Sequence, residues 1–118
     1  MKVQSAMKYV RGELTLRFTE YVGSGRLAIL ANMPDGTPAA TLTVNLPDVE
    51  LAPFEIAVKT WSGNEGAVET LLAAGLIVPG LIRWVPVGGF DARAAICTLS
   101  TLGQGCAWIE EDRRQEAG

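Results

Sequence analysis

The stretch Arg26–Asp48, RLAILANMPDGTPAATLTVNLPD, reads as two β-strands folded back on each other. In the first, Leu27, Ile29 and Ala31 face one way and Ala28 and Leu30 the other, with few polar positions, as expected of a central strand. Met33-Pro34-Asp35-Gly36 supplies the reversal, because Pro pre-sets φ and Asp-Gly accepts hairpin geometry. In the return strand Ala40, Leu42, Val44 and Leu46 alternate with Thr41, Thr43 and Asn45, so the threonines are expected to face solvent, and Pro47 ends the strand.

Working outward, Leu14, Leu16 and Phe18 alternate with Thr15, Arg17 and Thr19 and predict a half-buried strand over residues 13–22. Residues 1–12 hold Val3, Met7 and Tyr9 with poor periodicity, and either a strand or an arm fits them. On the other side, residues 54–61 form a weaker strand with Phe54, Ile56 and Val58 on one face. Ser62-Gly63-Asn64-Glu65 has capping-box spacing, with Asn64 as a second candidate cap, and predicts a helix in which Val68, Leu71, Leu72 and Gly75 share a stripe. Glu65 and Glu69 suit the positive end of its dipole, and Gly75 or Pro79-Gly80 stops it. Residues 81–87 contain Pro86 and read as an edge strand or extended loop, residues 92–99 as a last strand, and 106–115 as a short helix docking Trp108 and Ile109. The expected fold is α+β: one antiparallel sheet with a single main helix on one face and a short C-terminal helix or tail within 101–118, all in one domain spanning 1–118.

Composition narrows function mainly by exclusion. The 118 residues contain no histidine, which removes the usual neutral-pH acid–base catalyst and the commonest zinc ligand together. Cys97 and Cys106 cannot complete a structural zinc site by themselves, and Cys97 fits best as a small buried hydrophobe. Asp48 and Glu50, in a Pro-flanked loop, and Glu110, Glu111 and Asp112 lack apolar surroundings that would raise a carboxyl pKa. Ser24, Ser62 and Ser100 have no evident base, and the glycines match no phosphate-binding spacing. No enzyme activity, metal or cofactor is expected. The longest apolar run, residues 71–82, is broken by Gly75, Pro79 and Gly80 and is too short for a bilayer, and charges interrupt any N-terminal signal, so a cytoplasmic protein without membrane contact is expected.

The net charge of −3 is unevenly spread. Residues 1–34 carry five bases against two acids, whereas residues 35–82 carry Lys59 alone against six acids. An acidic middle repels phosphate backbones, so direct nucleic-acid binding is not expected unless folding gathers the N-terminal bases into one patch. The three tryptophans, Trp61, Trp84 and Trp108, lie in the second half. Trp84, between Arg83 and Val85 on an edge segment, is the leading candidate for a partner contact, with Trp61, Asp48 and Glu50 as further candidates.

The blocks GRLAIL (25–30), AATLTVNLPD (39–48), NEGAVETLLAAGLIVP (64–79) and GGFDARAAICTL (88–99) resemble a family of small domains of unassigned function carried by bacterial plasmids, integrative elements and phages. The resemblance covers residues 14–99, and the chain beyond Leu99 departs from it. It brings no catalytic residues. What it implies is company: small mobile-element proteins include anti-CRISPR and other anti-defence factors. The expectation is therefore a non-enzymatic, stoichiometric inhibitor that occludes a surface of a host protein complex such as a CRISPR effector. The alternative is an accessory module that pairs with itself, as a homodimer through a sheet edge, and inhibits nothing.

Overall fold

A computed structural model describes residues 1–88 and 91–107 of the chain. Gly89, Phe90 and the stretch 108–118, on which the expectations for Trp108, Ile109 and the acidic tail fall, lie outside the described residues. Antiparallel strands β1 (Lys2–Gln4), β2 (Glu13–Glu20), β3 (Leu27–Asn32) and β4 (Pro38–Thr41) form one sheet in that order. Strands β5 (Glu55–Val58), β6 (Ile77–Pro86) and β7 (Arg93–Leu99) form a second, ordered β5-β7-β6, and helix α1 (Ala67–Ala73) lies between β5 and β6 in the chain. A second helix, α2, occupies residues 101–107.

The alternation in β2 buries Leu14, Leu16 and Phe18, and the register sets Leu16 opposite Ala31 and Phe18 opposite Ile29. These side chains join Ile56, Val58, Ala95 and Cys97 of the second sheet, and Ala67, Val68 and Leu71 of α1, in one core. At about 25 cal/mol per Å² of apolar surface removed from water, this shared interior is what holds the two sheets and the helix together. The hairpin forms as its sequence dictates: Met33 N–H donates to Thr37 C=O at 2.8 Å, while the Asp35 carboxylate accepts from both Thr37 N–H and Thr37 O–H.

Two sheets replace the expected single one, and the reason lies at Thr43. The β3–β4 pairing slips between Ala31 and Asn32. Ile29 N–H then donates to the Thr43 hydroxyl at 3.1 Å rather than to a backbone carbonyl, and Tyr21 O–H lies 2.9 Å from the same hydroxyl. A side chain that takes a ladder donor ends the ladder. Thr43 is consequently buried instead of facing solvent. The chain passes on to the other sheet through a lone Thr43–Val58 bridge, with Val44 N–H bonded to Ala57 C=O and Lys59 N–H to Leu42 C=O. Residues 42–44 are thus the seam of the molecule.

The capping box does not form. The residue before α1 is Gly66 in left-handed conformation (φ 95°), with no side-chain cap. Asn64 is buried and its amide donates to Thr41 C=O at 2.6 Å, tying the approach to the helix to β4. Replacing Ser62 by Ala is expected to change stability by no more than about 0.5 kcal/mol, against roughly 1 for a working cap, as read by urea unfolding. The other end follows the sequence. Gly75 N–H bonds Leu72 C=O and Leu76 N–H bonds Leu71 C=O, the paired closure that a glycine at φ 74° permits. Helix α2 starts five residues before the expected Cys106, capped by Ser100, whose hydroxyl accepts from Gly103 N–H at 3.0 Å. Phe54, expected on the buried face of β5, precedes that strand and is exposed.

Candidate functional site

The strand order brings several of the sequence candidates to one end and one edge of the second sheet. β6 borders β7 on one side only, so its other side is the bare rim of that sheet among the described residues. Ile77 pairs with Leu99, but the next pair is Ile82 with Cys97, so residues 78–81 loop out and only residues 82–86 run in regular register. Val87 N–H donates to Ala92 C=O. In an antiparallel ladder alternate residues point their polar groups the same way, so Val85 and Arg83 also face β7, while Ile82, Trp84 and Pro86 face outward. Pro86 therefore lacks its N–H at a position where β7 does not need it.

Trp84, on this rim, is 52% exposed. Across the sheet it is aligned with Ala95 and Val58. Thr60 O–H donates to Arg93 C=O at 2.6 Å, which holds the chain after β5 against the start of β7 and carries Trp61 to the same end. Trp61 and Trp84 consequently line one shallow cleft of about 370 Å³ together with Thr60, Asp91, Ala92 and Arg93. The Lys59 ammonium lies 5.9 Å from the Trp61 ring centroid, close enough for a cation–π contact.

Arg83 is turned the other way. Its guanidinium donates to Glu50 C=O at 2.8 Å and to the Glu55 carboxylate at 3.1 Å, so it reaches inward across β7 and away from the rim. This brings Glu50 and Arg83 together by way of Glu50's backbone, not its charge. Asp48 and Val85 line neither the tryptophan cleft nor the hollow between Glu50 and Arg83. The Arg83 hydrogen bond, seconded by Ala52 N–H, holds the Glu55 carboxyl below its ordinary 4.5. A depressed carboxyl stabilises the fold above its unfolded value and loses that contribution as pH falls through the folded one. Glu55→Gln is therefore expected to be less stable than the parent at pH 7, with the gap closing below about pH 4.5, as followed by urea unfolding across pH.

Sequence reasoning missed Glu55 and Arg26. The Arg26 guanidinium clamps Leu46 and Val49 carbonyls at 2.5 and 2.6 Å, fixing the acidic loop 45–53. It also lines a hollow of about 400 Å³ with Leu27, Leu51, Phe54 and Leu99. Nothing in residue spacing signals either residue, because Arg26 acts on backbone carbonyls 20 and 23 residues on and Glu55 accepts from a guanidinium 28 residues away. Of the N-terminal bases, Lys2 and Arg17 sit on the adjacent strands β1 and β2, Lys8 and Arg11 in the connection between them, and Arg26 is turned onto the loop.

Among the described residues no three His, Cys, Asp or Glu side chains come together as a metal site, and no helix is long and apolar enough to cross a membrane. Burial pushes the Cys97 thiol up to about 12, so it is a neutral packing group at ordinary pH. Comparison with protein-family models, with curated proteins and with solved structures returns no match.

Proposed function

We propose that this protein is a binding module without catalytic chemistry, which acts by covering a surface of another protein. The observation that supports this reading is the β6 rim, bare among the described residues, with Trp84 half exposed on it and Trp61 across the same cleft. A large aromatic side chain beside unpaired backbone groups offers both an anchor and a template for pairing. The finer reading is a stoichiometric inhibitor of a host defence complex, of the anti-CRISPR kind, in a bacterial cytoplasm. Its support is the resemblance of the sequence blocks to small mobile-element proteins.

Purified CRISPR effector complexes provide the test. The expected result is a stable complex on gel filtration and loss of target cleavage, with Trp84→Ala and Trp61→Ala each weakening binding by about tenfold or more. Effectors that neither retain the protein nor lose activity would remove the inhibitor reading. Binding that survives both substitutions would move the contact elsewhere on the molecule.

A further inference from the structure

The outward groups of β6 are self-complementary, and we infer that the strand pairs antiparallel with β6 of a second copy about a two-fold axis at Trp84. This inference goes beyond the binding reading: a second copy takes the backbone edge of β6, and the tryptophan cleft is left for the bound protein. Residues 82–86 are flanked by the looped-out stretch 78–81 on one side and end in Pro86 on the other, so the usable rim is short and its register restricted. It offers N–H and C=O of Ile82 and Trp84, and C=O alone of Pro86.

Three centrings can be compared. Placing the axis at Arg83 sets each Trp84 opposite the partner's Ile82, so the two indoles are not paired across the seam. Placing it at Val85 leaves Pro86, which has no N–H, facing Trp84 on both sides and forfeits bonds twice. Placing it at Trp84 lets each Trp84 N–H meet the C=O of the partner's Trp84. Each Ile82 N–H then meets the C=O of the partner's Pro86, and the missing proline donor falls at the outer end of the seam.

This centring also sets the indoles beside one another as a cross-strand aromatic pair. Arg83 then faces the partner's Val85, and its charge is already drawn inward to Glu55. The axis stands perpendicular to the sheet, so both tryptophan clefts open on the same face. Together they form one continuous aromatic floor across two copies, wider than either cleft of about 370 Å³ alone.

The test uses the full chain by sedimentation or light scattering from micromolar to near-millimolar concentration. The expected mass rises with concentration to twice the 12.6 kDa of one chain. Trp84→Asp and Trp84→Lys should each remain at the single-chain mass, because each places like charges across the axis, and mixing the two should restore the doubled mass. Circular dichroism of both variants establishes that they fold. Should either fail to fold, Trp84→Cys serves instead. A hydrogen-bonded antiparallel pair places Cα atoms about 5.5 Å apart, within disulfide reach, so oxidation should give a covalent dimer. A parent chain that stays at 12.6 kDa throughout, a dimer indifferent to charge at position 84, or a Trp84→Cys variant that does not cross-link overturns the inference. Whether an effector is bound and inhibited is read separately, by the binding assay on the parent chain.

Discussion

Gly66→Ala is expected to cost roughly 2–5 kcal/mol, the sum of a strained backbone and an overpacked contact. Gly66 has φ 95°, where side-chain-bearing residues are rarely found, and a Cβ built there falls 2.6 Å from Met7 Cα and closer still to Ala6 C=O. Neither neighbour is a flexible side chain that can swing away. The Ala6 backbone is held by its N–H bond to Thr70 Oγ1 at 2.9 Å, and Lys8 N–H is bonded to Glu65 C=O at 2.8 Å. The N-terminal arm is thus fixed against the start of α1. Gly36→Ala separates the two contributions. It shares the positive φ but has nothing within 4 Å of its added Cβ, so it should cost only about 1–2 kcal/mol. Urea unfolding of the two variants measures the difference, and equal costs would mean that the arm yields.

Thr43→Val is expected to destabilise by about 1–3 kcal/mol, although it preserves shape and adds apolar surface. The substitution leaves Ile29 N–H without its acceptor in a buried site and removes the partner of Tyr21 O–H. An unmet buried donor costs more than a hydrogen bond contributes, because water cannot replace the lost partner. Tyr21→Phe, which spares the Ile29 bond, should cost about 0.5–1.5 kcal/mol. Since both changes touch one hydroxyl, their effects should be less than additive in the double variant. A Thr43→Val effect within about 0.5 kcal/mol, by urea unfolding, is what a solvent-facing threonine would give, and would contradict a buried seam at residues 42–44.

The parts of the fold legible in the sequence are those fixed by local pattern. Two-residue alternation locates β2, short apolar runs locate β3 and β7, Pro34-Asp35-Gly36 locates the reversal, and Gly75 locates the end of α1. The division into two sheets is not legible. It depends on Thr43, whose place in the alternation points it to solvent, but whose hydroxyl is claimed by Ile29 and Tyr21, 14 and 22 residues away. The capping-box spacing at Ser62–Glu65 misleads for a related reason: Asn64 is engaged by Thr41, and Ser62, Gly63 and Gly66 all take positive φ, which is incompatible with helix entry. Ser100 carries a usable cap signal, masked by the glycines at 103 and 105 that argue against a helix there. Gly103 serves closeness, since a Cβ would run into the Leu76 carbonyl. At the candidate site Trp61 and Trp84 are each legible as candidate contact aromatics. Their meeting is not, because it requires β7 to insert between β5 and β6, an order that no local pattern encodes.

The seam at residues 42–44 also sets a timetable for synthesis. Everything on its N-terminal side, the meander from β1 to β4, is complete once residue 41 has left the ribosome, and each of its pairings joins neighbours in the chain. Yet Leu14, Leu16, Phe18 and Ile29 find their cover in segments translated afterwards, ending with the strand that closes at Leu99. A nascent chain of this protein therefore carries an uncovered oily face until the strand that joins β5 to β6 has been made.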